Sequence, residues 1–391
     1  MAKTSGVQIM EVVDTTVQGS CDPRFEAMRG ILQANIDSGA DLGASVAVVV
    51  NGENVVDLWG GYADHERTTA WQADTLVNVW STTKTMMAVS ALVLVDRGEL
   101  DPYQKVAHYW PAFAQNGKQD IEVRHLLSHT SGVSGWAQPV QVSDLYDWEK
   151  STSMLAAQAP WWEPGTASGY HALNQGHLVG EVIRRITSSK LGEFFAREIA
   201  GPLGADFHIG LSPSEFHRVS PVVPPPPLPI DLSTLDMDSP LVKTFTGPAP
   251  DASECWTSEW RQADIGAANG HGNARSVARV QSLITNRGEV DGVRLLSPAT
   301  IERIFDVQSD NVDIVLGVPE RFGLGYGLPC EGMPFAMDAK LCFWGGWGGS
   351  MIVNDLEHAM TVTYMMNRME AGLVGDTRGF DLISAAFAGI V

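Results

Sequence analysis

The tetrad Ser81-Thr82-Thr83-Lys84 brings together a hydroxyl and an ammonium, three residues apart, at the predicted start of a helix. Side chains at this spacing lie on one face of a helix, so the two groups would be neighbours. A free serine is a weak nucleophile at neutral pH, and a buried lysine, or a tyrosine whose pKa is lowered by a cation, could activate it. In the structural alternative, Ser81 is only the N-cap of the helix and Lys84 extends to solvent. A cation near a helix N-terminus lowers stability, because that end of the helix carries a partial positive charge. The position of Lys84 therefore indicates a functional role.

Tyr170 is a second candidate, because it follows the Pro164-Gly165 turn and directly precedes a predicted helix. A tyrosine at such a junction is usually a structural ring. Next to a cation such as Lys84, however, its phenol could act as the base that Ser81 requires. This segment alone leaves both interpretations open.

A third candidate is the glycine-rich stretch FWGGWGGS, residues 343–350. Glycines weaken a strand interior and often mark the close approach of a ligand or of another backbone. If this strand lies at the edge of a sheet, its free backbone N–H groups could provide one donor of an oxyanion hole, and the N–H of Ser81 the other. A tight β-bulge packed against a helix is the structural alternative.

The elements that would position these residues follow from patterns near both ends of the chain. Residues 22–38 open with Asp-Pro and repeat apolar side chains near helical spacing, which predicts an amphipathic helix. Residues 43–61 contain two β-rich runs around Asn51-Gly52, which is a strong hairpin signal. A further helix is predicted at Ser276. Strands are predicted at 322–328, 343–355 and 358–369, and a closing helix is predicted at 379–391.

The middle of the chain is predicted to be mainly helical. Residues 86–95 are apolar almost without interruption and are followed by Gly98, which predicts a helix buried on all sides. Helical patterns continue at 125–132 and 173–189. Residues 220–250 are rich in proline and lack periodicity, so we expect an extended, polyproline-like segment on the surface that forms a lid or a pocket wall.

Together these elements predict an α/β protein of the α+β type, in which helices flank an antiparallel sheet. Residues 1–75 and 270–391 would form this discontinuous sheet domain. Residues 76–269 would form a mainly helical domain that carries the first two candidate motifs and the proline-rich loop. We expect the active site between the two domains.

The composition excludes several classes of function. Among 391 residues there are 26 basic and 46 acidic side chains, a net charge of −20, which argues against a nucleic-acid partner. No apolar run reaches the length of a membrane span, and the first residues lack the order of a signal peptide, so we expect a cytoplasmic protein without a membrane partner. The four cysteines are scattered, and neither metal-binding nor phosphate-loop motifs occur, so we expect no metal and no cofactor.

In this order and at these separations, the three motifs resemble those of the serine β-lactamase and penicillin-binding-protein superfamily, whose signature is Ser-x-x-Lys, a tyrosine motif and a Lys-Thr-Gly strand. The sequence is most similar to the family VIII carboxylesterases, in which Trp-Gly-Gly is common at the third motif and stands here as Trp344-Gly345-Gly346. The stretches LLSHTSG, GHGNARS and FGLGYG extend the resemblance from about residue 22 to the C-terminus. It implies a β-lactamase-like fold.

The resemblance further implies that Ser81 attacks an ester carbonyl and forms an acyl-enzyme. Lys84 would hold Tyr170 anionic or strongly polarised, and Tyr170 would take the serine proton and pass it to the leaving alcohol. The backbone N–H groups of Ser81 and Trp347 would bind the carbonyl oxygen, and residues 344–346 would contact the substrate. The implied protein is a serine carboxylesterase acting on small, short-acyl esters, and a homodimer is its possible assembly.

Three alternatives to ester hydrolysis stay open at this point. An acyl-enzyme that excludes water could transfer its acyl group to another alcohol, and the same Ser-Lys-Tyr set could hydrolyse β-lactams or D-alanyl peptides weakly. A catalytically silent binding protein of the same fold is the third. Two departures from class C β-lactamases bear on the choice: Ala172 stands where their Tyr-x-Asn motif has asparagine, and Trp344 replaces the lysine that would bind a β-lactam carboxylate. An apolar tryptophan suits a neutral ester better.

Overall fold

An antiparallel sheet built from both ends of the chain is the largest element of the protein. The computed structural model describes residues 13–227 and 235–390. Its strands are β1 (Gln18–Cys21), β2 (Gly43–Val50), β3 (Glu53–Gly61), β4 (Leu76–Asn78), β5 (Val219–Ser220), β6 (His271–Gly272), β7 (Glu289–Val290), β8 (Val293–Arg294), β9 (Ser309–Val312), β10 (Pro319–Phe322), β11 (Gly327–Leu328), β12 (Leu341–Gly345), β13 (Met351–Asp355) and β14 (Met360–Met366). Within the described residues, nine of them form the large sheet in the order β1-β3-β2-β14-β13-β12-β11-β10-β9.

Helices dominate the chain between β4 and β6, as the sequence predicts. The α-helices are α1 (Glu26–Ser38), α2 (Thr83–Asp96), α3 (Val106–Tyr109), α4 (Val123–Leu127), α5 (Trp148–Ala157), α6 (Gln175–Thr187), α7 (Leu191–Phe195), α8 (Gly201–Leu203), α9 (Pro240–Thr246), α10 (Ser258–Gln262), α11 (Ala274–Thr285), α12 (Pro298–Glu302) and α13 (Thr377–Ala388). The predicted order of helix, strands, helical block, strands and closing helix is confirmed.

The hairpin predicted at Asn51-Gly52 joins β2 to β3. Both turn residues have positive φ, 51° and 81°, as the favoured two-residue hairpin turn requires. The turn thereby sets the antiparallel register that pairs Val50 with Glu53.

Helices cover both faces of the large sheet. Thr363 of β14 donates a hydrogen bond of 2.8 Å to the carbonyl oxygen of Ala274, the first residue of α11. Neighbouring side chains of a strand point to opposite faces, so Tyr364 faces the other way, where it lies beside Gly379 of α13. Since α1 packs against α13, the sheet lies between α11 on one face and the α1–α13 pair on the other.

The helix α2 is buried on all sides, which confirms the prediction from its apolar run. Every residue from Thr83 to Leu94 is buried. Gly98 follows the helix with φ of 72°, a left-handed conformation that glycine adopts without steric cost. Contacts with α6, α7 and α12 hold α2 in place, and they thereby fix the position of the turn at its N-terminus.

The proline-rich segment is extended only in part. Residues 228–234, which belong to the predicted loop 220–250, lie outside the described residues. Before them Val223 forms an isolated β-bridge. After them Pro240–Thr246 form α9, whose first turn is capped by the Ser239 side chain accepting from the N–H of Val242. The prediction of extended chain is wrong here, because proline fits the first turn of a helix, where its missing N–H is not needed.

The architecture confirms an α/β fold of the α+β type with an antiparallel sheet flanked by helices. The division into domains 1–75 with 270–391 and 76–269 stays a prediction. In the described ranges, no helix combines the length and the apolar character needed to cross a bilayer.

Candidate active site

Ser81 lies in a short 3-10 turn, Trp80–Thr82, and α2 begins only at Thr83. The prediction that Ser81 caps α2 is therefore wrong. Its Oγ lies 3.1 Å from Lys84 Nζ and 2.7 Å from Tyr170 Oη, and it makes no cap to the helix backbone. The structure thus brings together the three side chains that the sequence singled out.

Trp80, directly before Ser81, has a strained backbone. Its φ is 48°, a left-handed conformation that a bulky residue adopts only when its surroundings enforce it. Its indole is buried between two other tryptophans, with ring centroids 5.4 Å from Trp260 and 4.9 Å from Trp347. This packing holds the turn that presents Ser81.

Lys84 is fully buried at the base of the site. Besides Ser81, its Nζ contacts two backbone carbonyl oxygens, of Ala172 at 2.7 Å and of Ala267 at 2.9 Å. Burial lowers the pKa of the lysine well below its usual value. A neutral amine has two hydrogens and one lone pair. Two hydrogen bonds to the carbonyls would leave that lone pair directed at the Ser81 hydroxyl.

Tyr170 donates its phenol hydrogen to Ser81 Oγ. Burial raises the pKa of this phenol far above its usual value, and the hydrogen bond to Ser81 offsets only part of the effect. The raised pKa disfavours an anionic Tyr170, whereas a phenol that Lys84 polarises, the other form expected from the sequence, stays a prediction. Burial disfavours the charged forms of both groups, so it works against a phenolate paired with a lysinium.

The position of Tyr170 depends on a buried carboxylate. Asp313 Oδ1 accepts hydrogen bonds from the backbone N–H of Tyr170 at 3.1 Å and from those of Val315 and Leu316, both at 2.9 Å. The ring of His129 lies 5.0 Å from the Tyr170 ring. Burial keeps the pKa of His129 far below its usual value, so the tyrosine rests against an uncharged imidazole.

The third motif leaves the sheet at Gly345, the last residue of β12. This strand lies between β11 and β13, so its predicted position at an edge is wrong. The short β11 nevertheless pairs only Gly327 with Phe343. Trp344 and Gly345 therefore have no β11 partner on that side. The end of β12 is thus unpaired on that side, as the sequence predicts, although the strand lies inside the sheet.

The loop after β12 is tied to the turn that carries Ser81. Ser350 Oγ donates to the carbonyl oxygen of Val79 at 2.9 Å and lies 2.9 Å from Thr82 Oγ1. The N–H of Gly346 donates to Ser350 O at 2.8 Å. These contacts join the two motifs into one rigid corner.

Two backbone N–H groups at this corner are free. Within the part of the chain that the structure describes, no acceptor is found for the N–H of Ser81 or for that of Trp347. Most buried backbone N–H groups are paired, and unpaired ones next to a nucleophile can bind a developing oxyanion. This supports the expected oxyanion hole.

Gly346 permits the close contact between the two motifs. A Cβ on this residue would lie 2.3 Å from Ser350 Oγ and 2.4 Å from Val79 O, both far inside van der Waals contact. We expect Gly346→Ala to lower the free energy of unfolding by about 1–3 kcal/mol and to reduce esterase activity, because the corner must open. Thermal denaturation and hydrolysis of p-nitrophenyl butyrate measure the two effects.

The matched control is Gly30→Ala, at an exposed position of α1 where a Cβ would meet nothing within 4 Å. It is expected to stabilise the helix slightly, by roughly 0.5–1 kcal/mol, and to keep full activity. Equal effects of the two substitutions would contradict the role given to Gly346.

A cavity opens beside Tyr170. It has a volume of about 20 Å³, which is the size of one water or one ammonium group, and is lined by Tyr170, Leu316, Glu320, Phe322, Gly327, Phe343, Trp344, Gly345, Leu373 and Val374. Trp344 and Gly345 thus line this cavity, whereas Gly346 lies at the corner, and the substrate contacts expected of residues 344–346 stay a prediction. Asn174, the asparagine nearest to Tyr170, is fully buried and donates to the Val133 carbonyl at 2.7 Å. Among the described residues, no group of three or more His, Cys, Asp or Glu is arranged to hold a metal ion.

Comparisons with known proteins identify the family and the fold of this chain. Residues 29–385 match the sequence profile of the beta-lactamase family. The chain is 33% identical over 375 residues to the esterase/beta-lactamase LipL of Mycobacterium tuberculosis, covering 93% of this chain and 86% of that protein. A family VIII carboxylesterase has a similar structure, with a TM-score of 0.90 and 40% identity over 95% of this chain and 99% of the other. A penicillin-binding protein homologue from Caulobacter crescentus also has a similar structure, with a TM-score of 0.90 and 35% identity over 96% of this chain and 100% of the other. The predicted resemblance and the β-lactamase-like fold are confirmed.

Sequence reasoning missed the residues that position the three side chains. The carbonyl groups of Ala172 and Ala267 hold Lys84, yet every residue type has such a group, so no sequence signal exists. Asp313 and Ser350 act through contacts with distant backbone. The only indication for Ser350 was its place directly after the glycines of the third motif.

Proposed function

Because the chain belongs to the beta-lactamase family, we propose that it is a serine carboxylesterase that hydrolyses small, short-acyl esters through an acyl-enzyme on Ser81. The observation that carries this proposal is the contact of one hydroxyl oxygen with both Lys84 Nζ, at 3.1 Å, and Tyr170 Oη, at 2.7 Å. The esterase names of LipL and of the family VIII carboxylesterase add support.

In the proposed acylation step, Lys84 is the base. Its neutral amine takes the proton of Ser81 while Oγ attacks the ester carbonyl, and the oxyanion that forms accepts from the N–H groups of Ser81 and Trp347. As the tetrahedral intermediate collapses, the C–O bond to the alcohol breaks. Tyr170 gives its proton to the departing oxygen and regains one from the protonated Lys84.

Deacylation uses the same groups in the same roles, with water in place of Ser81 as the nucleophile. Water attacks the acyl carbonyl and loses a proton to Lys84, and the second collapse breaks the bond to Ser81 Oγ, which takes the proton of Tyr170. The lysinium then returns its proton to the phenolate. Each cycle thus consumes one water and restores both residues to their neutral states.

The acyl-enzyme provides the direct test. Rapid mixing with p-nitrophenyl butyrate, followed by acid quenching, is expected to give protein that carries one butyryl group, and peptide mapping is expected to locate it on Ser81. Full-length protein with Ser384→Ala, at an exposed serine of α13, should label in the same way. A butyryl group on a different residue, or hydrolysis without any burst of p-nitrophenol or labelled protein, would contradict the mechanism.

A further inference from the structure

Glu320 is the single carboxyl group among the lining residues of the cavity beside Tyr170. It belongs to β10, and only 5% of its surface is exposed. Glu320 and Phe322 are two residues apart and therefore share one face of the strand, and the Phe322 ring lies 5.9 Å from the Trp344 ring. The carboxyl group of Glu320 thus faces the substrate cavity beside its aromatic wall.

No described residue neutralises this carboxyl group. Arg321, its neighbour in sequence, points to the other face of β10, where it donates to the carbonyl oxygen of Met337 at 3.2 Å. The nearby titratable groups are Asp313, Tyr170, Cys330 and, across the site, Lys84. Asp313 is itself acidic, and burial shifts the pKa values of the other three toward their uncharged forms. Within the described chain, neither a hydrogen bond nor an ion pair reaches Glu320.

A buried acid without a partner is costly, so its retention in a substrate cavity indicates a ligand group that pairs with it. Two nearby acids, Glu320 and Asp313, attract a cation. The aromatic faces of Phe322 and Trp344 also favour a cation, through their negative π surfaces. The lining is otherwise apolar, which suits the carbon atoms between such a cation and the ester.

We propose that Glu320 is a specificity-determining residue that selects small esters carrying an ammonium group. This inference rests on the proposed function and refines its substrate class. It differs from the neutral ester suggested by Trp344 alone, because the carboxylate of Glu320 adds a charged partner for a cation.

Two matched pairs of esters test the proposal. p-Nitrophenyl β-alaninate and p-nitrophenyl butyrate differ by an ammonium in place of a methyl at the end of the acyl chain. Butyrylcholine and 3,3-dimethylbutyl butyrate differ by nitrogen in place of carbon in the alcohol. For at least one pair, we expect wild-type kcat/KM to favour the cation, and we expect Glu320→Gln to reduce that ratio at least about tenfold. Glu331→Gln, at an exposed glutamate, should leave the ratio unchanged.

The pH dependence of wild-type protein gives a second test that needs no variant. Burial, and then the charge of Asp313, raise the pKa of Glu320 to about 7. The carboxylate exists above this value, so the preference for butyrylcholine, whose charge is permanent, should rise between pH 6 and 8. The ratio within a pair cancels the titration of Lys84, which acts on both esters.

The outcomes separate the two proposals. Equal ratios in wild type and Glu320→Gln for both pairs, or a wild-type ratio that is flat across pH 6 to 8, would overturn the role of Glu320 and leave the esterase intact. If Glu320→Gln does not fold, the wild-type pH profile decides. Failure to hydrolyse any of the four esters, or hydrolysis that persists in Ser81→Ala, would overturn the proposed function and this refinement with it.

Discussion

Replacing Ser81 by alanine is expected to reduce kcat/KM for p-nitrophenyl butyrate by at least about a thousandfold, because in the proposed mechanism the substitution removes the atom that forms the acyl-enzyme. The remaining oxyanion hole would still bind the carbonyl, but without covalent catalysis. Stability should not fall, since Ser81 makes no cap to α2 and its hydroxyl serves only Lys84 and Tyr170. Initial rates and thermal denaturation of both proteins measure the two expectations.

Ser90→Ala is the matched control for this substitution. Ser90 lies in α2, the helix that follows Ser81, is fully buried, and donates only to the carbonyl oxygen of Met86 at 2.9 Å. The variant is expected to lose about 1 kcal/mol of stability and to keep its activity. A folded Ser81→Ala protein that hydrolyses the ester at the wild-type rate would show that another residue is the nucleophile.

Lys84→Met is the second change with a very large expected effect. Methionine has a similar length and no amine, so the variant would lose the base of the proposed mechanism, and we expect kcat to fall at least about a thousandfold. The pH dependence of the wild type follows from the same group. Its pKa is lowered by burial, and the neutral amine is the active form, so activity should fall as the pH drops through that lowered pKa.

Lys118→Met is a control of the same chemistry at a distance from Ser81. Lys118 is also fully buried and held by three backbone carbonyls, those of Gln115, Ala156 and Gln158. Each substitution leaves carbonyl groups unpaired, which costs about 1–3 kcal/mol for each such group. Both variants should therefore change in stability, but activity per folded molecule should fall only for Lys84→Met. If Lys118→Met is as inactive as Lys84→Met, the loss of activity in both variants results from misfolding and not from the loss of a base.

The sequence allowed the type and order of the reactive groups to be predicted, because Ser81, Lys84, Tyr170 and Trp344 stand within recognisable local motifs. It also allowed the elements near them to be predicted from local patterns, such as the apolar run of α2 and the Asn51-Gly52 turn. These features depend on residues close together in the chain, which is the range that periodicity and turn chemistry describe.

The details that decide the chemistry come from distant contacts and could not be predicted in this way. Whether Tyr170 is ionised depends on how deeply it and Lys84 are buried, and burial is set by residues from several elements. The position of β12 inside the sheet depends on β11, which has only two residues. Glu320 carries no motif at all and gains meaning only from the cavity that it faces.

The hydrogen bonds from Ser350 to Val79 and Thr82 affect when, during folding, the active site is completed. These partners are separated by 271 and 268 residues in the chain. Contacts between residues so far apart in the chain form late in folding, because closing the loop costs entropy before the contact can stabilise the protein. A growing chain on the ribosome would therefore contain Ser81 and Lys84 long before the proposed oxyanion hole could form. Recovery of esterase activity during refolding would accordingly report completion of the whole molecule, later than recovery of helical circular dichroism.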